Sequence, residues 1–112
     1  MLVYRIEDAN GRGPYWETYG TPCRKMSDSH SWGPARYTHP TMHMYDEGKH
    51  ICGCPTLELL KTWFRGYRSL LRRLGYKMCV FEVDAKHIPL QDEYQLMFPR
   101  SQSTLLKKVR IP

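Results

Sequence analysis

The sequence predicts an α+β domain in which one long amphipathic helix packs on a twisted, mainly antiparallel sheet. Apolar side chains recur at helical spacing over residues 56–74, and the segments on both sides alternate between apolar and polar residues as strands do. Residues 16–50 keep neither period and predict a long irregular loop region. One helix among several strands is typical of a helix that covers one face of a sheet. A chain of 112 residues suits one compact domain, which we place at 1–112.

The predicted helix has recognisable start and stop residues. Thr56 is suited to cap its first turn, Glu58 carries a charge that a helix start favours, and Gly75 can end it. Gly66 lies inside the segment, where glycine costs about 1 kcal/mol relative to alanine, and indicates close packing at that point. The apolar face consists of Leu60, Trp63, Phe64, Tyr67, Leu71 and Leu74.

Four strands complete the predicted sheet. The first covers residues 2–7, with the sequence "LVYRIE", and ends before the turn dipeptide Asn10-Gly11. The other three follow the helix and cover residues 76–84, 93–98 and 104–111. The segment "PRSQS" between the last two predicts a hairpin loop.

The loop region 16–50 is unusually long for a compact domain, and such a region is usually a functional loop or disordered. Its aromatic residues include Trp16, Tyr19, Trp32, Tyr37 and Tyr45. Because disordered segments are poor in aromatic residues, we expect an ordered binding loop with a short helix near residues 40–47.

The charge balance favours an anionic partner. The net charge is +6 and the isoelectric point about 9.3, which suits a nucleic acid, a nucleotide or an acidic protein surface, with solubility as the alternative role of the charge. No run of 18 apolar residues predicts a membrane span, and no signal-peptide pattern is visible. We therefore expect a cytoplasmic protein with reduced cysteines, while its oligomeric state stays open.

A basic stripe follows the predicted helix. Lys61, Arg65, Arg68 and Arg72 lie at positions i, i+4, i+7 and i+11, which share one line of a helix. Such a stripe can follow phosphate groups or dock on a host protein or nucleoprotein complex. The alternative is the solvated face of an amphipathic helix.

Cysteines and histidines gather in and after the loop region. The pairs His39/His43 and Cys52/Cys54 have short spacings that could supply zinc ligands, but structural zinc usually needs two matched pairs. The further candidates are Cys23, His30 and His50. Because buried thiols and surface histidines explain the same residues, we assign no metal ligand and keep zinc as an alternative.

The layout of the two ends of the chain resembles the ADP-ribosyltransferase superfamily. Arg5 lies on the first strand, Thr56 precedes the helix, and Glu93 and Gln95 precede a late strand. The resemblance implies NAD as a cofactor, held by Arg5, Tyr15 and Thr56, and implies a catalytic set of Arg5, Thr56, Glu93 and Gln95. An arginine can hold a pyrophosphate by paired hydrogen bonds.

This chain departs from that superfamily at one important position. Gln95 stands where the superfamily has its key glutamate, so either Glu93 takes the role in a shifted register or the protein binds without catalysing. Whether the protein is an enzyme therefore stays open. Arg5 also has a purely structural interpretation, since a strand arginine is often solvent-facing or paired with a carboxylate such as Glu7, Glu82 or Glu93.

The layout of most of the chain also resembles small accessory proteins of bacteriophages and mobile elements. The resemblance implies a phage setting and a counter-defence role, including action against CRISPR complexes. The matching residues are Tyr4, Arg5, Glu7, Gly13-Pro14-Tyr15, His39-Pro40, Gly53, Thr56, Glu58, Leu60, Trp63-Phe64 and Gln95-Leu96-Met97-Phe98.

Three functional hypotheses follow. The first is a phage accessory protein with an ADP-ribosyltransferase-like, nucleotide-binding cleft. The second is a non-enzymatic, anti-CRISPR-like inhibitor that uses the basic helix face and the aromatic loop to bind a host protein or nucleoprotein. The third is a zinc-stabilised nucleic-acid-binding protein.

Overall fold

A computed structural model describes residues 1–14 and 50–112, and the loop prediction for 16–50 lies almost entirely outside these residues. The described part contains six strands: β1 (Leu2–Glu7), β2 (His50–Gly53), β3 (Lys77–Val83), β4 (Leu90–Gln91), β5 (Leu96–Pro99) and β6 (Ser103–Val109). It also contains two α-helices, α1 (Leu57–Trp63) and α2 (Arg68–Arg73), and two short 3₁₀ helices, Ala85–His87 and Arg100–Gln102.

The prediction of one long helix over 56–74 is wrong, and with it the predicted fold class. The described helices have seven and six residues, so this part of the protein is mostly antiparallel sheet. Gly66 has a φ of +87°, in the left-handed region that ends helices, and it separates α1 from α2. The apolar period continues across this break because both helices bury residues, Leu60 and Leu71, in the same core cluster.

The strands form two antiparallel sheets, which are joined by backbone hydrogen bonds at one pair of residues. The first has the order β1-β3-β6 and the second the order β2-β5-β4. Tyr4 and Cys54 join them through a pair of backbone hydrogen bonds of 2.9 and 2.8 Å. In β6, Leu106 is an extra residue, because Val80 lies opposite Lys107 while the next residue, Phe81, lies opposite Leu105.

The predicted hairpin between the last two strands is also wrong. β5 pairs with β2 and β4, whereas β6 pairs with β3, so the segment between β5 and β6 crosses from one sheet to the other. The crossing is made by the 3₁₀ helix Arg100–Gln102. It places Arg100 beside the end of β1, which a local hairpin would not do.

The central strand β3 is buried on both faces. Met78 and Val80 pack against the helices, while Cys79, Phe81 and Val83 pack between the two sheets. Side chains alternate along a strand, so β3 contributes to both core clusters at once.

Gly53 allows the two sheets to approach each other. A Cβ atom at this position would lie 2.5 Å from Val3 Cγ1, 3.1 Å from the Tyr4 carbonyl oxygen and 3.2 Å from Phe98 Cε1. No rotamer change can relieve the contact with the Tyr4 backbone. The junction of the sheets therefore depends on the absence of a side chain at Gly53.

We expect Gly53→Ala to lower the free energy of unfolding by about 2 kcal/mol, because the added methyl group forces β1 and β2 apart. Urea unfolding followed by circular dichroism measures this. Gly66→Asn is the matched control, since nothing lies within 4 Å of a Cβ there and asparagine tolerates a positive φ. Equal losses in the two variants would contradict this account of the junction.

Candidate functional site

Arg5, the first predicted site residue, makes its contacts inside the protein. Its Nε donates to Glu7 Oε2 at 2.8 Å, and its Nη1 donates to the Cys52 carbonyl oxygen at 2.7 Å. The Arg5 side chain is 11% exposed, and Gly13 passes so close that a Cβ there would lie 3.1 Å from Arg5 Nη2. The structure thus shows the pairing of Arg5 with Glu7, which the sequence had left open as the structural interpretation of Arg5.

Glu7 connects Arg5 to a second arginine. Arg100 Nη2 also donates to Glu7 Oε2, and the same nitrogen donates to the Gly11 carbonyl oxygen at 3.1 Å. The Arg100 guanidinium lies over the Phe81 ring, 5.4 Å from its centre. The Glu7 side chain is only 3% exposed, so a buried carboxylate is neutralised by two cations from distant parts of the chain.

Thr56, the next predicted catalytic residue, has a structural role of its own. Thr56 accepts a hydrogen bond from the Leu59 backbone N–H at 3.1 Å and so caps α1, as predicted. That helix packs on the face of the sheet that carries Ile6, whereas Arg5 shares the opposite face with Cys79.

Glu93 and Gln95 lie in the turn between β4 and β5. Glu93 is exposed and Gln95 is 5% exposed. Asp92 organises this turn, because its Oδ1 accepts the Tyr94 N–H at 2.8 Å and the Gln95 N–H at 2.9 Å. Tyr15 lies outside the described residues, so its predicted role in cofactor binding stays a prediction.

The described cysteines are free thiols in different surroundings. Burial, with smaller contributions from Cys52 and Asp92, raises the pKa of Cys54 to about 12, and burial also raises the pKa of Cys79. Both thiols are thus neutral near pH 7. No group of three potential metal ligands is assembled within residues 1–14 and 50–112, and four of the zinc candidates, Cys23, His30, His39 and His43, lie outside them.

The basic stripe is not one line of one helix, because the helix is interrupted at Gly66. Arg68 and Arg72 stay one turn apart on α2, and each donates a hydrogen bond to a main-chain oxygen. Arg68 Nη1 contacts the Pro112 oxygen at 3.1 Å, and Arg72 Nη1 contacts the Ile111 oxygen at 3.2 Å. Together with buried Ile111, these contacts hold residues 110–112 along α2.

Two further cations, which the predicted stripe did not include, lie where β3 begins and β6 ends. Lys77 precedes Met78 and Arg110 follows Val109, and Met78 and Val109 are register partners. Lys77 lies opposite Glu7 in the register of β1 and β3, so we leave it out and define the basic surface as the cations Arg65, Arg68, Arg72, Arg73 and Arg110. The signal that could have found the added residues is in the sequence, since residues 59–81 and 94–112 contain no aspartate or glutamate.

Comparison with known proteins places the chain in a phage family. A family model described as Bacteriophage T4 Y00F protein matches residues 1–112, which is the whole chain. The chain belongs to this family. It is therefore a phage-type accessory protein, whereas the similarity to ADP-ribosyltransferases stays a prediction. No curated protein and no solved structure matches the chain.

No helix in the described part of this phage protein has the length and apolar character that crossing a membrane requires.

We expect Glu7→Gln to lower the free energy of unfolding by about 3 kcal/mol, because it leaves the Arg5 charge buried without a counter-charge. Thermal and urea unfolding measure the loss. Glu82→Gln is the control, since Glu82 pairs with the Met1 amino group at 3.0 Å on the exposed surface and should cost less than about 1 kcal/mol. A Glu7 variant as stable as the Glu82 variant would remove the structural role of this cluster.

Proposed function

We propose that this phage accessory protein acts by binding and not by catalysis, and that the basic surface binds nucleic acid, either free or within a host nucleoprotein complex. The observation that carries the proposal is the absence of carboxylates from residues 59–81 and 94–112, the two segments that supply the whole surface. Cations whose own segments carry no acidic residues keep more of their attraction for phosphate groups.

The geometry of α2 supports this choice of partner. Arg65 and Arg73 are exposed, and Arg68 and Arg72 are partly buried and oriented by main-chain oxygens of residues 111 and 112. Arginine presents five donors in a planar fork that suits phosphate oxygens, so a guanidinium that is already oriented loses less entropy on binding. Four arginines thus lie within nine residues on the two sides of the Gly66 break, which favours a phosphate-rich partner.

The contacts of Arg5 favour binding over transferase chemistry. The residue that would hold the pyrophosphate of NAD instead donates to Glu7 and to the Cys52 carbonyl. A ligand at Arg5 would compete with a buried carboxylate for the same guanidinium, which is unfavourable.

The counter-defence role belongs to this proposal as well. A small phage protein that binds nucleic acid or a nucleoprotein can occupy the surface on which a host defence complex holds its own nucleic acid. The aromatic loop that we predicted as a second docking element lies outside the described residues and stays a prediction.

We expect the protein to bind a fluorescent single-stranded oligonucleotide with an affinity that falls steeply as salt rises, because each phosphate contact releases a counterion. Arg73→Glu should weaken binding about tenfold and lower the slope of log affinity against log salt by about 1. Fluorescence anisotropy at several salt concentrations, repeated with duplex DNA and with RNA, measures both effects.

Lys86→Glu is the matched control, since it makes the same change in net charge at an exposed position on the 3₁₀ helix after β3. It should change the affinity by less than about twofold. Equal effects of the Arg73 and Lys86 variants, or no binding to any of the three nucleic acids at low salt, would refute the proposed function.

The transferase alternative has its own test in a calorimetric titration with NAD. We expect no saturable heat up to millimolar NAD, because Arg5 is engaged by the protein. Saturable binding that Arg5→Lys abolishes, in a variant that still folds, would favour the nucleotide-binding cleft instead.

A further inference from the structure

The break between α1 and α2 leaves a solvent-open cavity of about 260 Å³ beside the basic surface, lined by Gly66, Arg68, Ser69, Arg72 and Pro112. A pocket of this size has room for a small anion such as phosphate. Two arginines line it, with the main-chain oxygen of Pro112 on Arg68, and the neighbouring Ser69 supplies a hydroxyl group that can donate one hydrogen bond.

The positive φ of Gly66 turns the chain away from the helix path and opens the cavity, and no atom lies within 4 Å of a Cβ there. Arg68 and Arg72 each make one hydrogen bond among the described residues, to the main-chain oxygens of Pro112 and Ile111. A guanidinium has five N–H donors, so each side chain is held in place and keeps donors for a ligand.

We infer that this cavity is a binding subsite for one phosphoryl group. This inference rests on the proposed function, because it names the part of the basic surface that grips a single phosphate of the partner. Two guanidinium forks and a hydroxyl match the three or four oxygens of a phosphate, whereas a carboxylate would use only part of the donor set. The phosphate can come from the end of a strand or from within its backbone.

The direct probe is inorganic phosphate, followed by NMR of the arginine Nε–Hε groups. We expect the Arg68 and Arg72 signals to shift saturably with phosphate, while the Arg100 signal stays unchanged because Arg100 is engaged by Glu7. A titration in which neither Arg68 nor Arg72 shifts would overturn the subsite.

Ser69→Asp tests the cavity without removing either arginine contact. A carboxylate there repels phosphate, and an acidic residue in the first turn of α2 is compatible with the helix. We expect phosphate affinity to fall at least tenfold. Ser101→Asp carries the same charge on the 3₁₀ helix that precedes β6, at the opposite end of that strand from Ile111, and should change it less than twofold.

Oligonucleotides with and without a 5′-phosphate separate the two sources of the group. A larger shift of Arg68 and Arg72 with the 5′-phosphorylated strand assigns the subsite to a strand end, and equal shifts assign it to the backbone. Oligonucleotide binding without a shift of these signals overturns the subsite but keeps the proposed function. Phosphate-induced shifts without oligonucleotide binding overturn the proposed function but keep the subsite.

Discussion

The hydrogen bonds that the Glu7 carboxylate accepts are the interactions on which the described structure depends most. The carboxylate receives them from Arg5 on the same strand and from Arg100 on the segment that crosses between the sheets. Through these arginines it also reaches the Cys52 carbonyl on β2 and the Gly11 carbonyl in the turn after β1. A carboxylate that is 3% exposed is tolerated only with such partners, so its desolvation ties these segments into one arrangement.

The positively charged residues of the protein fall into two groups. Arg5 and Arg100 share a buried anion and serve the junction of the sheets. The cations around α2 have no carboxylate within their own segments and face the surroundings of the protein. The chemistry that is left for a partner therefore centres on α2, which packs on the opposite face of the first sheet from the cluster around Glu7.

The local elements could be predicted from the sequence where one strong pattern acted alone. Alternation in "LVYRIE" predicted β1 with its observed bounds, and Thr56 caps α1 as its type and position indicated. The pairing of Arg5 with Glu7 was foreseen as an alternative because the two residues lie two positions apart on one strand face.

The remaining features depend on relations that periodicity does not encode. Gly66 costs a helix only about 1 kcal/mol, so an apolar period could not tell a tolerated glycine from one that ends the helix. Arg100 meets Glu7 across a sequence separation of 93 residues, and no local signal marks that contact. The supposed hairpin at "PRSQS" failed for the same reason, since its flanking strands alternate correctly but belong to different sheets.

The central claim is that the functional surface lies at α2 and residues 110–112 and not at Arg5. Amide hydrogen exchange of the protein with and without a bound oligonucleotide tests it most directly, because the exchange rate is read separately for each segment. The account predicts slower exchange in residues 64–76 and 106–111 and unchanged exchange in β1 and β2. Protection confined to β1 and β2 would contradict it and would return Arg5 to the centre of the function.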